Sequence, residues 1–197
     1  MSNVKKMVVS AMLIAVSVLL PMAFHSIEGA GGILLPMHIP VLLAGLVCGW
    51  KFGLITGLIA PILSHMLTGM PPQFMVGIMT IELSVYGLVA GIMSEFVRTK
   101  RASVDLYISL VVSMLAGRVV AGLVLTQFFF GSMPPFITGG NPFSFGIWIS
   151  MFFVTALPGL AIQLCFIPSV VMALERERVI PMRYPISSIT PAPAITQ

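Results

Sequence analysis

Apolar stretches of near-spanning length follow one another along this chain, separated by short polar or glycine- and proline-rich breaks. A membrane-crossing helix needs about 20 largely apolar residues. The first candidate runs from Val4 to Phe24, and the glycine-rich stretch from His25 to Met37, with Glu28, reads as a loop. Ile39 to Trp50 is apolar but short; at about 1.5 Å per residue it rises only about 18 Å. Phe52 to Thr68 is the third segment, interrupted by Gly53, Gly57 and Pro61, and Gly69 to Gln73 forms a turn around Pro71 and Pro72. Phe74 to Val97 and Val104 to Gln127 are the fourth and fifth. A long loop, Phe128 to Phe143, precedes the sixth, Phe145 to Leu174, which contains Pro158 and Pro168. Proline inside a spanning helix is tolerated, usually as a kink. The expected fold is an all-α membrane protein with six transmembrane helices, or five if the second segment is only partly inserted. Residues 1–180 form one six-helix domain in this reading, and residues 181–197, rich in Pro, Ser and Thr, form a disordered tail.

Composition supports the membrane reading. Hydrophobic residues make up 58% of the 197 and charged ones 8%, against roughly a quarter charged in a soluble domain. A soluble fold would lack the charge to cover its surface, and a mean hydropathy of +1.08 agrees. Lys5 and Lys6 before an apolar run imitate a secretory leader, but Met7 to Phe24 is long enough to span and further spans follow, so it reads as a retained helix. The net charge of +4 is no nucleic-acid signal, because the basic residues lie between apolar segments. With six spans and the N-terminus inside, every Lys and Arg except Arg118 falls on the inner side, and loops 25–38, 69–73 and 128–144 carry none. That asymmetry predicts cytoplasmic N- and C-termini. Cys48 and Cys165 lie within apolar stretches and read as small hydrophobes rather than a disulfide or metal pair.

The polar residues inside the spans are the candidates for function, because an ionisable group in a membrane is costly. Glu82 lies roughly 12 Å below the outer end of the fourth helix, and Arg118 lies at similar depth in the fifth. The two helices are antiparallel neighbours, so these groups can meet, either as a structural ion pair or as contacts to a polar solute. His25, His38 and His65 all fall toward the outer side; they read as interfacial residues, since no HExxH-like spacing supports a metal site. Asn141, Gln127, Gln73 and Thr68 also lie at outer ends, and together these groups outline a cavity open to the outside. Gln163, deep in the sixth helix, is expected to bond a neighbouring helix. Ala11 and Ala15, four apart, share one face of the first helix and permit close helix approach, within this chain or with a partner. There is no P-loop and no GxSxG nucleophile motif, so ATP hydrolysis and acyl-transfer chemistry have no carrier in this chain.

The stretch LLPMHIPVLLAGLVCGWKFGLITGL, Leu34 to Leu58, with MHIPVLLAG followed by G-x-K-x-G, is the most specific motif. With the AxxxA of Ala11 and Ala15, the GMPP turn and Pro158-Gly159, it resembles the substrate-binding (S) components of energy-coupling factor (ECF) transporters over roughly residues 4–176. The resemblance implies a non-enzymatic subunit that binds a vitamin-sized solute near the outer face. It also implies partners: a transmembrane coupling subunit facing Ala11 and Ala15, and two ATPase subunits that use the ATP, with no cofactor in this chain. Substrate contacts are then expected from Arg118, Glu82, His38, His65 and Asn141, with Arg118 holding an anionic or carbonyl group. The MHIP stretch looks closest to pantothenate-type members, while the EGAGGILLP before it and the GMPP turn depart from them. The substrate therefore stays open among pantothenate, other vitamins and their precursors. The alternative readings are a stand-alone secondary transporter or channel, a small membrane enzyme using the histidines and Glu82, and a scaffold with a purely structural ion pair.

Overall fold

A computed structural model describes residues 1–24, 35–99, 101–129, 146 and 149–180, and every element among them is helical. The helices are α1 (Asn3–Phe24), α2 (His38–Cys48), α3 (Trp50–Thr68), α4 (Gln73–Phe96), α5 (Ala102–Phe129) and α6 (Leu157–Arg176), with a short π-helical turn at Ser150–Val154. Five of the six are long and apolar enough to cross a membrane; α2 is the exception. The expected tail 181–197, most of loop 25–37 and most of loop 128–143, including His25, Glu28 and Asn141, lie outside the described residues.

Helix α2 is the short second segment. Its 11 residues rise only about 16 Å, half of a hydrocarbon core about 30 Å thick. It does not meet lipid as the others do, because nearly all of its residues, including Val41, Leu42, Ala44 and Cys48, are buried. It packs against α1, α3, α4 and α6, and the protein takes the place of lipid around it. Gly49 alone joins it to α3, at φ 96°, a left-handed conformation that glycine adopts without a Cβ penalty. Trp50 therefore begins α3 rather than ending α2.

The third segment is not interrupted. Helix α3 runs unbroken through Gly53, Gly57 and Pro61, and the glycines serve packing instead. A Cβ on Gly53 would overlap the carbonyl oxygen of Gly87 in α4, and one on Gly57 would overlap the carbonyl of Leu83. One on Gly91 would overlap the backbone of Trp50. These pairs run in opposite sequence directions, so α3 and α4 are antiparallel with their backbones nearly touching. Small residues are how membrane helices gain such contact, since lipid gives no hydrophobic drive for association.

The sixth segment differs from the sequence expectation as well. Instead of one helix from Phe145 to Leu174, a π-helical turn and the turn residues Thr155 and Ala156 precede α6. Pro158 then stands in the first turn of α6, where a missing N–H costs nothing, and only Pro168 is interior.

The two faces of each long helix separate cleanly. On α5, Leu106, Ser109, Leu110, Ser113, Met114, Gly117 and Arg118 turn inward, while Val111, Leu115, Val119 and Leu123 are exposed. Exposed apolar rows of this kind also mark α1 (Met7, Met12, Leu19) and α3 (Ile55, Leu58, Ile62, Met66); in water they would be a liability, and in lipid they are the solvent-facing surface. Cys165 is exposed on this outer surface rather than buried, whereas Cys48 is in the core.

The basic residues gather at one end. Lys5 Nζ donates to the carbonyl of Val179 at 3.1 Å, tying the start of α1 to the end of α6. Gly49 lies between Lys6 and Glu95, so the start of α1 and the ends of α2 and α4 share that end. At the α4–α5 turn, Asp105 accepts hydrogen bonds from the Thr99 N–H at 2.8 Å and its hydroxyl at 2.6 Å. Beyond α6, Arg178 takes a left-handed φ of 56°, and Ile180 is buried in the same core cluster as Leu106 and Leu43.

Candidate functional site

The inward polar residues of α2, α4 and α5 converge in the half of the bundle away from the basic end. Measured along their helices, His38 lies about 15 Å from that end, Glu82 about 21 Å and Arg118 about 24 Å. Their side chains are all buried, with Arg118 only 3% exposed and His38 2%.

Tyr86 is the centre of the group. It stands one helical turn from Glu82 on α4, so both side chains occupy one face, and its hydroxyl donates to Glu82 Oε1 at 3.0 Å. His38 Nε2 lies 3.9 Å from the same oxygen, too long for a hydrogen bond. The imidazole instead packs on the Tyr86 ring, centroids 5.2 Å apart and planes tilted by 58°. Tyr86 also rests on α5 at Gly117, where a Cβ would overlap two ring carbons. Arg118, the next residue, lies near the Tyr86 hydroxyl, and its guanidinium carbon sits 5.9 Å from the ring centroid of Phe153 on the π-helical turn.

Glu82 bonds the Tyr86 hydroxyl and Arg118 lies near it, and among the described residues the ion contact of Glu82 within 4.0 Å is to His38, not to Arg118. Four buried polar atoms in or beside the group, His38 Nδ1 and Nε2, Arg118 Nε and Gln163 Oε1, find no hydrogen-bond partner among the described residues. Leaving such atoms unpaired costs about 1–3 kcal/mol each, an arrangement suited to receiving a polar solute. Gln163 reaches in from α6; its Nε2 donates to the Leu35 carbonyl at 3.5 Å, in the stretch entering α2 rather than in a neighbouring helix. The same carbonyl accepts from the His38 N–H at 3.1 Å.

The other expected residues fall elsewhere. His65 is engaged at the α3–α4 turn, with Nδ1 2.8 Å from the Pro71 carbonyl, and Thr68 donates to the Ser64 carbonyl at 2.7 Å. Asn141 is outside the described residues. Ala11 and Ala15 are both exposed on α1, in the same apolar row as Met7, Met12 and Leu19, so this face of α1 is not covered by the described residues. Among the described residues no three His, Cys, Asp or Glu side chains are grouped to hold a metal. Sequence reasoning missed Tyr86, Gly117 and Phe153. The spacing of four from Glu82 carried a signal for Tyr86; nothing in the sequence pairs Gly117 or Phe153 with the site.

Against known families, the chain matches the family described as ECF transporter, substrate-specific component, over residues 5–171. No curated protein and no solved structure matches it.

Proposed function

Because the chain belongs to the substrate-specific components of ECF transporters, a family of multi-pass cell-membrane transporter subunits rather than enzymes, we propose that it captures a water-soluble vitamin or precursor for ATP-driven uptake. Pantothenate, or a solute like it with a carboxylate and hydroxyl groups, is the leading candidate. Arg118 holds the anionic group. Glu82 and His38 take hydroxyl or amide groups, and His65 and Asn141 line the mouth. Family members work with a coupling subunit and ATPases; here the exposed face of Ala11 and Ala15 meets the coupling subunit, and two ATPase subunits drive the cycle. The end carrying Lys5, Lys6, Lys51, Arg98, Arg101, Arg176 and Arg178 is the cytoplasmic one, by the excess of basic residues on that side.

The observation that carries this reading is the buried Glu82–Tyr86–His38–Arg118 group, whose imidazole and guanidinium have unpaired nitrogens. Two opposite charges and an unpaired imidazole are expensive in a membrane interior unless a solute uses them. The direct test is mass spectrometry of small molecules released from the detergent-purified protein. A vitamin at near-stoichiometric amount, lost from the Arg118→Ala variant, is the expected result. Equal retention by that variant refutes the assignment of the site.

A further inference from the structure

Glu82 and Arg118 carry opposite charges on antiparallel neighbouring helices at similar depth. In a weakly polar interior their attraction would ordinarily close the pair. A closed pair would occupy the guanidinium and leave it little capacity for a solute. No direct ion pair joins them in the structure; instead Tyr86 bonds Glu82 and lies near Arg118. Its ring rests on the bare backbone of α5 at Gly117, where a Cβ would overlap it. The His38 imidazole packs on the same ring, centroids 5.2 Å apart. The Tyr86 hydroxyl donates to Glu82 Oε1 at 3.0 Å, so the carboxylate already has a neutral partner on its own helix. Arg118 Nε keeps no hydrogen-bond partner among the described residues, and the guanidinium faces the Phe153 ring. Tyr86 itself is fully buried, so the ring cannot swing to solvent.

We propose that Tyr86 is a positioning residue, a spacer that holds the Glu82 carboxylate off the Arg118 guanidinium and so keeps Arg118 available to the anionic group of the substrate. This rests on the solute-binding reading above and adds the device that keeps its cation open. Three features are needed together: a ring wide enough to separate the helices' charges, a hydroxyl that satisfies the carboxylate, and a glycine at 117 to seat the ring. Phenylalanine supplies the first, leucine neither of the first two.

The test uses the purified full chain in nanodiscs with pantothenate as probe. Tyr86→Leu is expected to lower pantothenate affinity about 100-fold and Tyr86→Phe about 10-fold, since each tenfold loss corresponds to one charge-assisted contact of about 1.4 kcal/mol. Adding Glu82→Gln to either variant is expected to recover about tenfold, because a neutral amide no longer seals the guanidinium. A merely structural Tyr86 predicts no recovery in the double variants, and that result overturns the proposal, as does wild-type affinity in Tyr86→Leu. Tyr86→Phe serves the same comparison if Tyr86→Leu does not fold. A second measurement needs no ligand: the coupling in melting temperature between Glu82→Gln and Arg118→Gln. It should be several degrees more stabilising in the Tyr86→Phe background than with Tyr86 present, because the charges close to direct contact. If wild type does not bind pantothenate, the substrate reading falls, and this comparison alone decides: a larger coupling in Tyr86→Phe sustains the spacer, and an equal coupling ends it.

Discussion

Replacing Gly87 by alanine should destabilise the bundle through backbone contact alone. A Cβ there would overlap the carbonyl oxygen and carbon of Gly53 and lie 2.9 Å from its Cα. Ordinary contact for such a carbon begins near 3.4 Å, and all three opposing atoms are main chain, so no side chain can rotate away. Helices α3 and α4 must separate. Gly45 of α2 also lies against the Gly87 carbonyl, so α2 is disturbed as well. Overpacking of this kind costs about 1–3 kcal/mol, and the intrinsic preference of a helix for alanine over glycine returns about 0.5–1 kcal/mol. The net loss is about 1–2 kcal/mol, which corresponds to a melting temperature lower by about 2–8 °C for a chain of this size. The internal control is Gly77→Ala on the same helix, where a Cβ meets nothing within 4 Å; it should leave the melting temperature unchanged or raise it slightly. Thermal unfolding of the purified variants in one detergent measures both. Because α4 also carries Glu82 and Tyr86, Gly87→Ala should weaken solute binding in parallel. If Gly87→Ala melts with wild type, the near-contact of α3 and α4 is not the packing that holds this bundle, and the argument fails.

Arg118→Ala should abolish vitamin uptake in cells while the protein still reaches the membrane; uptake at the wild-type rate would remove Arg118 from the site. Ala11→Leu with Ala15→Leu should leave the melting temperature and solute binding intact, since both positions are exposed, while affinity pull-down recovers less coupling subunit; unchanged recovery would free this face of its assigned role. His65→Ala removes a 2.8 Å contact to the Pro71 carbonyl and should cost about 1 kcal/mol of stability without changing affinity more than a few-fold, which calorimetry of binding would separate from Arg118→Ala.

Much of the architecture was legible because lipid imposes a simple rule. Backbone groups must be satisfied within each segment, so long apolar stretches become helices, and the positions of α1, α4 and α5 follow from hydropathy alone. The one-sided distribution of Lys and Arg located a common basic end, which the contacts of Lys5 with Val179 and of Gly49 with Lys6 and Glu95 reproduce. Glu82 and Arg118 stood out because a charge in an apolar run is conspicuous without any knowledge of its neighbours. What hydropathy does not contain is the identity of those neighbours. That α2 can be short because protein encloses it, that Gly53 and Gly57 pack rather than interrupt α3, and that Pro158 begins α6 all depend on what lies across the interface. So does Tyr86. In the sequence it is one aromatic residue in an apolar helix; only the approach of Gly117, His38 and Arg118 from two other helices shows it packed beside Glu82 and near Arg118. Segment hydrophobicity is a local property of the chain, whereas the separation of Glu82 from Arg118 is set by three helices packing at once, and only the tertiary structure decides that.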